Sequence, residues 1–173
     1  IETFPGEFLL FTTHIRQLTL DDRTTGRFRD IRLSEVQDRA LQLDDTGRTS
    51  KWVLRRATHT PSGRALRDAG QLTGRESVDV HWAIPMQNRS GLGEFWAFFP
   101  TGQRTTLSGI INAPWKLSDD RKTLLEGPFN QEILTEVLPA LVAQGLDDLA
   151  VDEDPATALD VLPARGREAR NWA

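Results

Sequence analysis

Alternation of apolar and polar positions marks most of the first two thirds of the chain and predicts a β-sheet. The clearest case is SVDVHWAIPM at residues 77–86, where every second residue from Val78 is large and apolar. Such a period of two is typical of a strand, and Pro85 is expected to end it. The same reasoning predicts further strands at residues 8–20, 27–36, 51–58, 94–99 and 106–112.

Polar and glycine-containing segments separate these predicted strands. Residues 37–50 contain Asp-Asp-Thr-Gly at 44–47 and are expected to form a connection with a turn. Residues 59–76 have few large apolar side chains, so they predict a surface loop with a helical turn near residues 64–69. A loop of this length in a compact domain is often mobile or functional.

After residue 112 the apolar spacing becomes helical. Ser118 is a favourable N-cap with two aspartates behind it, and the helix dipole favours anions in the first turn. A helix is therefore predicted from Ser118 to Gly127. Pro128 is expected to begin a second helix, in which Pro139 should cause a kink.

These patterns together predict an α+β fold with a sheet of five or six strands followed by helices. Residues 1–150 are expected to form this domain. Residues 151–173 are expected to add a short helix capped by Asp154 and a linker towards a missing C-terminal region. The chain begins at Ile1 without a methionine and is interpreted as a piece of a longer protein.

Composition narrows the classes of function. The 173 residues are 38% hydrophobic and 27% charged, as expected for a globular domain with a sizeable core. The net charge of −4 argues against nucleic-acid binding as the main function. No apolar run approaches the roughly 18 residues of a membrane span. The absence of cysteine excludes disulfides and suits a reducing cytoplasm. The three histidines have no helical ligand spacing, so no metal site is expected.

A recognisable series of motifs occupies residues 93–130 and continues to residue 134. It comprises GEFWAFFPT, IINAPW, SDDR and FNQEIL in that order. This series resembles one that recurs in sacsin-like proteins, which are relatives of the ninety-kilodalton heat-shock chaperones in the GHKL ATPase superfamily. The upstream FPGEFLLF at residues 4–11 is similar to the segment that follows their nucleotide-binding domain. The resemblance covers about residues 4–149.

The resemblance implies a middle, or transducer, domain that couples ATP binding on a missing N-terminal domain to conformational change and client binding. It implies a mixed, mostly antiparallel sheet with helices on one face and a left-handed βαβ crossover, an exception to the usual hand. The chain has no glycine-rich phosphate loop before a helix. The fragment alone is therefore expected to bind no cofactor and to be inactive, whereas ATP and Mg are implied for the full-length protein.

The resemblance also implies site residues. Middle domains of this superfamily lend a basic residue to the γ-phosphate of ATP, and Arg121 stands in the corresponding place. Asn112 and Asp120 are candidates for supporting its loop. The chaperones carry a glutamine where this chain has Leu125. Pairing of Arg121 with Asp120 or its neighbour Asp119, in a purely structural role, is the alternative reading of the same residues.

Partners follow from the same resemblance. They are the protein's own upstream nucleotide-binding domain, client proteins and a second copy in a homodimer, with a cytoplasmic location and neither membrane nor nucleic acid as partner. Trp96, Phe98 and Trp115 are either core residues or a client-binding patch. The alternative function is a non-catalytic scaffold module of a larger multidomain bacterial protein.

Overall fold

A computed structural model describes residues 1–36, 40–70, 76–150 and 154–162. These residues form an α+β fold around an eight-stranded sheet, which confirms the fold class but not the predicted five or six strands. The strands are β1 (Gln17–Asp22), β2 (Arg27–Glu35), β3 (Ala40–Asp45), β4 (Arg48–His59), β5 (Val78–Pro85), β6 (Gly93–Ala97), β7 (Phe99–Thr105) and β8 (Ile110–Asn112).

The order of the strands is β1-β2-β3-β4-β5-β8-β6-β7. Every neighbouring pair is antiparallel except β6 and β8, so the sheet is mixed and mostly antiparallel. The parallel pair is connected through strand β7 and not through a helix. The described residues therefore contain no βαβ crossover of the kind that the resemblance implied.

Three segments depart from the predicted strands. β3 lies inside residues 37–50, which the polar composition assigned to a connection. β7 lies almost entirely between the strands predicted at residues 94–99 and 106–112. It contains Pro100, but it lies at the edge of the sheet, where a proline costs no ladder hydrogen bond. The apolar start of residues 8–20 belongs to a 3₁₀ helix, Gly6–Phe11, and only its end forms β1.

The helices α1 (Gly63–Ala69), α2 (Pro128–Glu132) and α3 (Leu138–Leu149) pack on one face of the sheet, with a π-helical turn at Ile133–Val137 between the last two. The distortion expected near Pro139 takes the form of this π turn, because a proline interrupts the regular helical hydrogen bonds. None of the helices in the described ranges is long and apolar enough to cross a bilayer.

Two apolar clusters hold the layers together. The cluster beneath the helices is centred on Trp82, which is fully buried and donates from Nε1 to the carbonyl of Ser108 at 2.8 Å. A second cluster lies on the opposite face, where the N-terminal 3₁₀ helix buries Leu9 and Leu10 against the sheet. A C-terminal 3₁₀ helix, Pro155–Val161, packs into the first cluster through its own Val161.

Candidate functional site

Residues 116–125 form a short hairpin where a helix was predicted. Leu117 and Leu124 form an isolated antiparallel bridge, and the N–H of Leu125 donates to the carbonyl of Lys116 at 3.0 Å. The prediction of a helix that begins at Ser118 is therefore wrong. The hydroxyl of Ser118 accepts a hydrogen bond from the N–H of Thr123, five residues ahead, at 3.1 Å. Ser118 closes a turn instead of capping a helix.

Arg121 lies at the tip of this hairpin. Its backbone has φ +59°, a left-handed conformation that few non-glycine residues adopt. The side chain is exposed, and Nη2 makes a single long hydrogen bond of 3.5 Å to the carbonyl of Ala97. None of the ion pairs found among the described residues involves Arg121. Its guanidinium retains most of its hydrogen-bonding capacity.

Asp120 supports the turn rather than neutralising Arg121. Its Oδ1 accepts from the Ser118 hydroxyl at 2.6 Å and from the N–H of Lys122 at 3.1 Å. These two hydrogen bonds hold the pKa of Asp120 below its ordinary value, because both favour the ionised carboxylate. Within the parts of the chain that the structure describes, Arg121 is therefore not paired with this carboxylate, the alternative that the sequence left open.

The base of the hairpin is held by an amide that was not among the predicted site residues. Asn130, in α2, is only 3% exposed. Its Oδ1 accepts from the N–H of Lys116 at 2.9 Å, and its Nδ2 donates to the carbonyls of Lys116 and Leu125 at 2.8 and 2.7 Å. One side chain thereby joins both arms of the hairpin to α2.

Asp68 of α1 fixes the same region from the other side. Its Oδ1 pairs with Nζ of Lys116 at 2.6 Å, and its Oδ2 accepts from the N–H of Phe129 at 3.3 Å. The Lys116 hydrogen bond is the main reason that the pKa of Asp68 lies below its ordinary value. The carboxylate thus caps the start of α2, since an acceptor there satisfies a free helix N–H.

Asn112 lies outside the hairpin, in the middle of the sheet. It is 1% exposed, and its Oδ1 accepts from the N–H of Phe98 at 2.7 Å. Phe98 connects β6 to β7 with φ +63°, which is strained for an aromatic residue. Asn112 holds this corner, and Arg121 touches the preceding carbonyl, Ala97. Asn112 and Arg121 therefore both hydrogen-bond to the backbone of the corner between β6 and β7.

The predicted aromatic patch is divided by the fold. Trp96 and Trp115 are buried, with 4% and 5% exposure, and belong to the two cores. Phe98 is 47% exposed and its neighbour Phe99 is 44% exposed. Phe99 stacks on Phe8 of the N-terminal 3₁₀ helix, with ring centroids 5.0 Å apart. Of the three predicted patch residues, Phe98 alone presents aromatic surface.

His59, Ser62 and Glu132 form a polar cluster between α1 and α2. The carboxylate of Glu132 lies between the other two, 3.3 Å from Nε2 of His59 and hydrogen-bonded to the Ser62 hydroxyl. An activated serine requires a base such as imidazole as its direct partner. Here the hydroxyl also accepts from the N–H of Ala65 at 3.1 Å, so it caps α1. The cluster joins α1 to α2.

The chemical group that the hairpin tip offers is the guanidinium of Arg121. An exposed guanidinium on a fixed turn offers a planar, permanently charged fork that matches phosphate oxygens. Among the described residues, no group of three or more His, Asp or Glu side chains could hold a metal ion. No known protein family, curated protein or solved structure matches this chain.

Proposed function

We propose that this chain is the transducer domain of a sacsin-like, GHKL-type ATPase and that Arg121 contacts the γ-phosphate of ATP bound on an upstream domain. The transducer then couples ATP binding to rearrangement and to the handling of clients or partners. ATP and Mg belong to the complete protein in this proposal, and the present chain supplies one cation to their site.

The observation that carries the proposal is the presentation of Arg121. The hairpin that bears it is clamped at its base by the buried Asn130, and its tip is closed by Asp120. The guanidinium is exposed and only weakly held by the Ala97 carbonyl. A cation that is positioned in advance, yet free of a carboxylate, suits the stabilisation of negative charge as it develops on a transferring phosphoryl group.

The first experiment is to express the complete reading frame that contains this chain and to measure ATP hydrolysis. We expect activity in the complete protein and none in the isolated chain. Arg121→Ala should lower the turnover number at least tenfold with little loss of nucleotide affinity, because an arginine supplied in trans can contribute roughly 10³ to 10⁵ in rate. Arg121→Lys should give an intermediate rate, since it keeps the charge but loses the fork.

Lys122→Ala is the matched control. Lys122 is the next cation in the same exposed turn, and its described hydrogen bond uses only the backbone N–H. If both variants lose activity equally, general electrostatics and not the Arg121 contact accounts for the effect. If the complete protein hydrolyses ATP and Arg121→Ala retains the full rate, the role of Arg121 is wrong. If the complete protein has no ATPase activity, the transducer proposal itself fails.

A non-catalytic scaffold module is the second candidate, and the exposed Phe98 and Phe99 favour it. Adjacent exposed aromatic residues at a sheet corner are typical anchors in protein–protein contacts. This function needs no upstream ATPase. It predicts that Phe99→Ser abolishes partner binding in a complete protein that lacks ATP hydrolysis, whereas the transducer function predicts that nucleotide controls that binding.

A further inference from the structure

A small cavity lies on the sheet face that carries the N-terminal 3₁₀ helix, beside the Phe98 corner. Its volume is about 210 Å³. Arg56, His81 and Asn112 are direct neighbours across β4, β5 and β8, so they share this face. All three line the cavity.

Two aromatic rings form apolar walls of the cavity. Phe11 contacts the ring of His81 edge-on, with centroids 5.9 Å apart. Phe98 lines the cavity from the corner, where Asn112 holds its backbone in the left-handed conformation. Strain of this kind persists only where the surroundings impose it, and it recurs at ligand sites. Here the strained backbone places an aromatic side chain at a polar cavity.

The cavity carries donors that make no hydrogen bond among the described residues. Each oxygen of Asp79 accepts one hydrogen bond: Oδ2 accepts from Nη2 of Arg56 at 2.6 Å and Oδ1 accepts from the Thr58 hydroxyl at 2.8 Å. The other guanidinium N–H groups of Arg56 and the Nδ2 group of Asn112 make no hydrogen bond among the described residues. Donors without partners favour an acceptor-rich ligand.

His81 strengthens this reading. Its Nδ1 is buried and has no hydrogen-bond partner among the described residues. Burial lowers the pKa of His81, and the nearby charge of Arg56 lowers it further, so the imidazole is neutral near pH 7. A neutral ring carries one N–H donor and one acceptor. A buried polar atom without a partner is uncommon in folded proteins and calls for an explanation such as a bound group.

We infer that this cavity binds a carboxylate on a small, flat apolar body, with the carboxylate on Arg56 and Asn112 and the body between Phe11 and Phe98. Charge-assisted, bidentate pairing makes guanidinium the favoured partner of a carboxylate. The cavity is smaller than the pockets of about 300–1,000 Å³ that hold drug-sized ligands. The ligand is thus either a free aryl carboxylate or the C-terminal carboxylate of a peptide that ends in an aromatic residue. This inference does not depend on the proposed ATPase function.

The test uses the whole chain, titrated with benzoate and followed by amide chemical shifts. We expect saturable shifts at the backbone of Val78, His81 and Phe98, and no such shifts with benzamide, which has the same shape without the charge. Arg56→Gln should weaken benzoate binding roughly tenfold or more, because a hydrogen bond between charged groups is lost. Arg16→Gln is the matched control, since Arg16 is an exposed arginine paired with Glu35 outside the cavity.

A second variant and a second probe complete the experiment. His81→Leu should also weaken binding, and circular dichroism of each variant establishes that it is folded. Acetyl-Ala-Ala-Phe with a free C-terminus, compared with its amide, distinguishes the two sources: tighter binding than benzoate indicates a peptide terminus, and weaker binding indicates a free small carboxylate. Absence of saturable binding by either carboxylate overturns the inference. Equal binding of benzoate and benzamide, or unchanged binding by both folded variants, also overturns it.

Discussion

The side-chain amide of Asn130 pairs with both backbone groups of Lys116: Oδ1 accepts from its N–H at 2.9 Å and Nδ2 donates to its carbonyl at 2.8 Å. The same Nδ2 donates to the carbonyl of Leu125 at 2.7 Å. The buried side-chain amide thereby makes hydrogen bonds to the backbone that a neighbouring strand would make in a sheet. It fixes the base of the hairpin whose tip carries Arg121.

We expect Asn130→Ala to lower the free energy of unfolding by about 2–4 kcal/mol, because three hydrogen bonds are lost and backbone groups are left without partners. Urea denaturation measures the change. Gln131→Ala is the control, since Gln131 is exposed on the next position of α2 and should alter stability by no more than about 0.5 kcal/mol. A cost for Asn130→Ala below about 1 kcal/mol would show that the amide does not hold the hairpin.

The strain at Phe98 predicts that glycine is more stable than alanine at this position, the reverse of the usual order in a strand. With φ +63°, Phe98→Gly should be more stable than Phe98→Ala by about 1 kcal/mol, because only alanine retains the left-handed penalty. Phe28 in β2 provides the comparison, since it is exposed within a strand. There, alanine should be the more stable by about 0.5–1 kcal/mol. Thermal or urea unfolding of the four variants checks this, and the same order at both positions would contradict it.

The half-buried His81 predicts a loss of stability in mild acid. Burial and the charge of Arg56 lower its pKa in the folded state from the ordinary 6.5, although Asp79 opposes the shift. The unfolded chain therefore binds a proton more readily, so protonation favours unfolding. Stability should be complete above about pH 6.5 and fall as the pH decreases from there towards the folded pKa.

Urea denaturation between pH 7.5 and 5 measures this effect, with His81→Leu as the comparison. The difference in stability between the two proteins should move against the wild type as the pH falls. Groups that do not interact with His81 are the same in both proteins, so their contributions cancel from this difference. Parallel pH profiles would rule out the contribution of His81.

Packing around Trp82 predicts that a single methyl group at Gly145 is costly. A Cβ built at Gly145 lies 2.6 Å from Cζ3 of Trp82, and both residues are buried in the core. Gly145→Ala should destabilise the protein by about 1–3 kcal/mol despite the better helix propensity of alanine. Gln144→Ala, on the exposed side of α3, should be neutral. If Gly145→Ala is also neutral, α3 moves away from the sheet without cost.

The segments with the most regular patterns were predicted correctly from the sequence alone. Alternation predicted residues 77–86, and β5 spans Val78–Pro85. The Gly-Pro junction placed the start of α2 at Pro128, because proline is tolerated at the first helical position and disfavoured further in. The single turn predicted near residues 64–69 is α1. In each case the conformation that the local sequence favours also buries the apolar face of the segment, so no tertiary contact changes the local structure.

The hairpin at residues 116–125 shows where local signals fail. Ser118 followed by two aspartates has the chemistry of a helix start, yet the same groups also close a tight turn. The hairpin is favoured over a helix by two tertiary contacts. Asn130 donates to the carbonyls of both arms of the hairpin, and Oε1 of Gln103 accepts from the N–H of Leu124 at 2.7 Å. Neither partner is close enough in sequence to register in a local pattern.

The sequence by itself determined the α+β class and the main strands, since periodicity and proline positions are local properties. Arg121 became a candidate only through the family resemblance, and its role stays a prediction. Only the tertiary structure decided that Arg121 stands exposed on a clamped hairpin and that Asn112 holds the strained Phe98. It also decided that Arg56 and His81 meet beside them. Each of these relations joins residues from separate strands or helices, and the register and order of the sheet alone bring such residues together.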